Sequence, residues 1–225
     1  TGAYDQAEKT LSEAYYEAAA LGTWDVAADA ATALVYIVGY RQARHEEGRA
    51  WARHAEVATI HGDGTGGLGE STRLDSLGII EGEAGAYSEA KLLHERALAI
   101  QEERLGPEHR LVASTLNHLA NVHIAVGAYR EALPLCERSV AIVEKSVGKD
   151  HPIVADSLKM LAMVHFEMGA YKEARMLYEQ VLAINERALG VDHLGFAGSL
   201  TDLGSVYNAT GAYSEAKALH KRALA

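Results

Sequence analysis

The sequence predicts an all-α, right-handed superhelical solenoid of antiparallel helix hairpins. Three observations predict it. Gly-Ala-Tyr recurs at Gly85, Gly127, Gly169 and Gly211, each 42 residues after the last. Self-similarity at a fixed period of about 20–50 residues is the signature of stacked repeats, in which each unit packs only on its neighbours. Small residues also recur in one register. Gly78, Ala120, Ala162 and Gly204 each follow a leucine, and Ala90, Ala132, Ala174 and Ala216 repeat at a second position. Such small-against-large alternation is what two closely approaching helices need. Finally, Gly85 and its equivalents sit where one helix must stop, and the turn that follows is too short for anything but a hairpin.

Each element follows from this. Gly2-Ala3-Tyr4 with Ala7 matches the Gly85 opening, so residues 1–21 read as a second (B) helix of a repeat. Thr23 is an expected N-cap for a helix from Trp24 to Val38, with Asp25 in its first turn. Gly39 is expected to end that helix, and Tyr40 to Ile60 to form the next B helix. Residues 1–60 thus form degenerate repeat-like helices. Residues 61–70, HGDGTGGLGE, hold five glycines and read as a flexible link. Their Gly64-x-Gly66-x-x-Gly69 spacing follows a helix, not a strand, so it is not read as a dinucleotide fingerprint. From 71 to 225 the array is regular, with first (A) helices at about 71–84, 110–126, 152–168 and 194–210, and B helices at about 86–105, 128–147, 170–189 and from 212. Pro107 and Pro152 fall where A helices begin, and Pro134 lies early in a B helix. The last repeat is truncated. A chain that opens at Thr1 and stops at Ala225 inside repeats reads as a segment of a larger protein.

Composition narrows the function. The formal charge is −10, which argues against nucleic acid and against anionic membrane surfaces. Residues 1–70 carry −6 of it, so the first third is the more acidic face for a basic partner. A lone cysteine, Cys136, permits no intrachain disulfide and suits a reducing, cytoplasmic setting. No apolar run approaches the roughly 18 residues of a membrane span.

With these residues in view, the chain resembles the tetratricopeptide repeat (TPR) family over residues 71–225, and more weakly over 1–60. The 42-residue length, the endings LCERSVAI and RALAI, and loops such as VGKDHPIVA resemble the kinesin light chain subtype. The degenerate first helices with their glycine-rich link also resemble the repeat tails of large bacterial serine/threonine kinases, although no kinase motif is present. The resemblance implies a concave groove lined by A helices. Its inward positions would be Ser114, Asn117, Asn121 and Ile124, then Asp156, Lys159, Met163 and Phe166, then Thr201, Ser205 and Asn208. Spacings of three and four put each set on one helical stripe. Asn117 and Asn121 suit a peptide backbone, since an amide both donates and accepts. Met163 and Phe166 offer an adaptable apolar patch. Two departures matter. Positions where the family's carboxylate clamp needs Lys or Arg hold Gly198 and Asp202. The kinesin light chain groove typically carries Asn-Asn where this chain has Asn117-His118.

No catalytic set, metal site or cofactor is expected. His109, His151 and His193 recur beside carboxylates at the 42-residue spacing. Equivalent residues of stacked helices lie about 8–10 Å apart, too far to share an ion, so they read as elements of the helix start. His123, His165, His94 and His220 occupy aromatic-type packing positions, and Cys136 reads as a small buried residue. The expected function is therefore a non-catalytic protein–protein interaction scaffold or regulatory segment that captures a neutral or basic peptide in its groove. Self-association through the end helices, and a small-ligand sensor region, are the competing readings. An empty, solvated inner face remains open.

Overall fold

The computed structural model describes residues 2–62 and 67–224. Eleven α-helices and one π-helical segment are present among them, in two compact units, Thr1–Val122 and His123–Ala225. The first unit contains α1 (Gly2–Leu21), α2 (Trp24–Leu34) with its π-helical continuation (Val35–Arg41), α3 (His45–His61), α4 (Leu68–Glu83), α5 (Tyr87–Leu105) and most of α6 (Arg110–Ala125). The second contains α7 (Tyr129–Val147), α8 (Pro152–Glu167), α9 (Tyr171–Leu189), α10 (Leu194–Ala209) and α11 (Tyr213–Ala223). Within each unit, packing runs mainly between successive helices, as a repeat fold requires.

The A and B helices expected from residue 71 onward appear within three residues of their predicted bounds, whereas the helix expected from Tyr40 begins at His45. The four A-to-B turns of the regular array share one construction. Gly85 sits at φ +80, its N–H bonds the Gly82 carbonyl at 3.0 Å, and the Ala86 N–H bonds the Glu81 carbonyl at 2.8 Å. This is the Schellman arrangement, in which a left-handed residue turns two late N–H groups back onto otherwise unpaired helix carbonyls. Gly127, Gly169 and Gly211 repeat it. Pro152 opens α8 at a position where its missing N–H is tolerated, and Pro134 lies inside α7, as expected.

The first part of the chain corrects the sequence reading in three places. Thr23 stands at the N-cap of α2, but its hydroxyl donates to the Ala18 carbonyl at 3.1 Å and caps no N–H. Gly39 does not end the helix. The chain continues as a π-helix to Arg41, and the reversal is made by Gln42 to Arg44, with Ala43 at φ 55. The Arg44 N–H reaches back to the Val38 carbonyl at 3.0 Å, a loop one residue wider than in the other hairpins. The reason is packing: Gly39 is buried, and its backbone lies against Gly48 of α3 and the Ile80 side chain of α4. The third correction concerns the glycine-rich segment. α3 extends to His61 and α4 begins at Leu68, so Gly69 is helical, while Gly64 and Gly66 lie outside the described residues.

The cores are built as the repeat register implies. In the first unit Ala27, Ala31, Ala55 and Ala58 are fully or nearly fully buried, with Trp24, Trp51 and Tyr15 filling the space they leave. In the second, Ala162 and Ala174 face Tyr178, Leu203 and Val206. Fully buried alanines allow close helix approach, and the large neighbours restore packing density.

Candidate functional site

Seven of the eleven expected groove residues are exposed on their A helices and four are half-buried. In the first unit Ser114 and Asn121 of α6 are exposed and Asn117 is half-buried. In the second, Asp156 and Lys159 of α8 and Thr201, Ser205 and Asn208 of α10 are exposed, while Ile124, Met163 and Phe166 are half-buried. Several of these side chains already have partners. Lys159 pairs with Asp202 at 2.8 Å, joining α8 to α10. The Thr201 and Ser205 hydroxyls donate to carbonyls one turn back in α10, both at 3.1 Å. Asn208 lies 3.3 Å from His220, and Phe166 packs edge-on against Tyr171 at the hairpin turn, ring centroids 5.5 Å apart. Met163 is the adaptable apolar side chain of α8, flanked by the Lys159 pair one turn before it.

The first unit adds a hollow that sequence reasoning missed. Asp29, Thr32, Ala33 and Tyr36 of α2 and its continuation face Leu68, Gly69, Thr72 and Ser76 of α4 across a space of about 490 Å³. Thr72 is the 42-residue counterpart of Ser114 and Asp156. The hollow thus occupies the A-helix stripe one repeat earlier, and Tyr36, 40% exposed, gives it an aromatic wall. Its signal in the sequence was the i, i+3, i+4, i+7 spacing of Asp29, Thr32, Ala33 and Tyr36, masked by the degenerate turn at Gly39.

A second feature was also missed. Asp75 of α4 bonds His94 Nδ1 at 2.8 Å and His118 Nδ1 at 2.9 and 3.1 Å. Asp75 and His118 are 43 residues apart, as are Lys159 and Asp202. The same pair of positions joins neighbouring A helices in both units, with the charges exchanged. Burial pushes the Asp75 carboxyl up, but the hydrogen bonds from His118 and His94 outweigh it and hold the group well below the usual carboxylate range. Burial also opposes protonated His118, and the hydrogen bond and charge of Asp75 outweigh that, so His118 is raised above 6.5.

These shifts fix a pH dependence. The depressed Asp75 contributes stability above its ordinary value near 3.8 that is lost as pH falls through its folded value. The raised His118 contributes stability below 6.5 that is lost as pH rises through its folded value. The charge pair is complete only between the two. The stability advantage of wild type over Asp75→Asn in urea unfolding is therefore expected to peak near about pH 5–6 and to shrink by about pH 9. An advantage of equal size at both pH values would remove the charge pair.

The recurring histidines are helix-start elements. The Nδ1 atoms of His109, His151 and His193 accept the backbone N–H two residues on, from Leu111 at 3.2 Å, Ile153 at 3.3 Å and Gly195 at 2.9 Å. Each imidazole takes the place of the usual Ser or Asp cap. Cys136 is fully buried and its thiol is pushed up to about 12 by burial, with the Glu137 charge adding to it, so it is no nucleophile. Among the described residues no helix is long and apolar enough to cross a membrane.

Tetratricopeptide-repeat family models match residues 71–111, 111–187 and 160–225, one of them over more than half of the chain. The chain belongs to the tetratricopeptide-repeat family. Comparison with curated proteins finds no match. Among solved structures, the TPR array is similar in fold to BtubC (BKLC) from P. vanneervenii, with a TM-score of 0.84 at 19% identity over 98% of this chain and 89% of that one. It is similar to a Podosopora anserina putative kinesin light chain with nearly identical TPR-like repeats, TM-score 0.72 at 26% identity, over 87% of this chain and 92% of that one. It is also similar to the apo form of RapI, TM-score 0.69 at 17% identity, over 94% and 58% of the two chains. The TPR repeats here are of the kinesin light chain-like type. A TPR fold of this kind is a protein-interaction scaffold, and the family is typically non-catalytic.

Proposed function

We propose that the chain captures an extended or helical peptide segment, neutral or basic, on the exposed stripes of its A helices, as a regulatory or scaffolding segment of a larger cytoplasmic signalling protein. The observation that carries this reading is the hollow between α2 and α4. There the stripe residue Thr72 of an A helix borders a cleft that also holds the Tyr36 ring and the hydroxyls of Thr32 and Ser76, the apolar wall with a few polar groups that a binding pocket needs. Asp29 lies in the hollow and no Lys or Arg lines it, which favours a basic over an acidic ligand. In the second unit the stripe of α8 and α10 varies from repeat to repeat, and variation at exposed positions of an otherwise uniform array is where partner choice resides.

The test is selection of peptides from a random display library, followed by calorimetry with the winning sequence. Binders rich in Lys or Arg are expected, with affinity falling tenfold or more in Tyr36→Ala or in Asn117→Ala/Asn121→Ala. Binders indifferent to both variants and to Met163→Ala would refute the A-helix stripes as the site.

A further inference from the structure

The geometry points to a transition-metal site in the first unit, with Asp75, His94 and His118 as ligands and Zn²⁺ as the fitting ion. The three residues come from α4, α5 and α6, and one ligand atom from each lies within 4.8 Å of the others. Two imidazole nitrogens and a carboxylate oxygen form the mixed borderline set that zinc, cobalt and nickel prefer to calcium or magnesium. Bonds of about 2.0–2.1 Å in a tetrahedral arrangement place ligand atoms roughly 3.3 Å apart. The carboxylate lies 2.8 to 3.1 Å from the imidazole nitrogens and all three ligand atoms lie within 4.8 Å of one another, so binding requires the side chains to close on the ion.

Three further observations support a built site. First, the triad is assembled once. The 42-residue counterparts of Asp75 are Asn117, Lys159 and Thr201, those of His94 are Cys136, Tyr178 and His220, and those of His118 are Met160 and Asp202. No other repeat combines an aspartate with two histidines. Second, room is made for the ring. His94 is 1% exposed and lies over Gly78, where a Cβ would meet ring atoms at 2.7 to 2.9 Å. Third, there is access. The His118 side chain is 33% exposed, which gives an ion a path in and leaves a fourth coordination position for water. Binding replaces the Nδ1 protons that now bond Asp75. A neutral ring moves its proton to Nε2, and an imidazolium releases one to solvent. The bound ion would brace one hairpin to the A helix of the next. None of the three ligand residues lines the hollow between α2 and α4.

The test uses chelator-stripped protein titrated with ZnCl₂ by calorimetry and with CoCl₂ by visible absorption. One equivalent per chain is expected, with a d–d spectrum of a mixed nitrogen and oxygen site. Saturating zinc is expected to raise the melting midpoint by about 5 °C or more. Asp75→Asn and His118→Ala should each weaken zinc at least tenfold while circular dichroism keeps the wild-type helix content. Replacing the helix-start histidines, His109→Ala/His151→Ala/His193→Ala, should leave affinity unchanged. Absence of a zinc heat in wild type, or equal affinity in His118→Ala, would overturn the site. So would loss of binding in the helix-start variant alone.

Discussion

Gly48→Ala is expected to destabilise the first unit by roughly 3 kcal/mol, the upper end of the overpacking range. Elsewhere in a helix interior this change usually stabilises by about 0.5–1 kcal/mol, because alanine loses less backbone entropy than glycine. Here the sign reverses. A Cβ on Gly48 would lie 2.4 Å from the Gly39 Cα and 2.7 Å from Ile80 Cδ1. The isoleucine can change rotamer. The Gly39 backbone cannot withdraw without moving the π-helical segment Val35–Arg41 and the turn built on it. Gly82→Ala is the matched control, since its Cβ would meet only Ala90 Cβ at 3.9 Å. That variant is expected to be neutral or slightly stabilised. Urea unfolding of both decides the matter, and a Gly48→Ala protein as stable as wild type would sink the close crossing of α3 on the π segment.

Gly78→Ala is expected to cost about 1–3 kcal/mol, and adding His94→Cys should recover most of it. The new methyl would meet the face of a ring that is fully buried and tied to Asp75. The same construction recurs in the second unit, where a Cβ on Gly204 would meet the His220 ring at 2.7 to 3.1 Å. Repeats with alanine at this position, Ala120 and Ala162, have Cys136 or Tyr178 at the matching one, never histidine. Glycine and histidine are therefore a matched pair, and the double variant imports the alanine–cysteine combination. If both variants lose the same stability, the loss comes from the helix backbone and not from the ring.

Much of the fold was legible because it is local. A glycine just past a helix end, a leucine before a small residue and a 42-residue period each act within one hairpin, so Gly85, Gly127, Gly169 and Gly211 all build the expected turn. The helix-start histidines were legible for the same reason, as each bonds an N–H two residues away. Gly39 was misread because VGY imitates the GAY of the true turns. Its glycine serves a contact with Gly48 and Ile80, and nothing within the motif announces that.

The candidate sites divide in the same way. The stripe positions came from the family resemblance, and spacing showed only that each set shares one helix face, since side chains along a helix follow its period. Lys159 could not be known to hold Asp202, nor Asp75 to gather His94 and His118. Those partners are 19 to 43 residues away in sequence, on other helices, and meet only through stacking. By itself the sequence determined the family, the hairpins, their turns and the small residues that let helices approach. Only the tertiary structure decided which variable side chains confront one another. Repeated positions obey one local packing rule, whereas each contact between helices depends on two residues that no local pattern links.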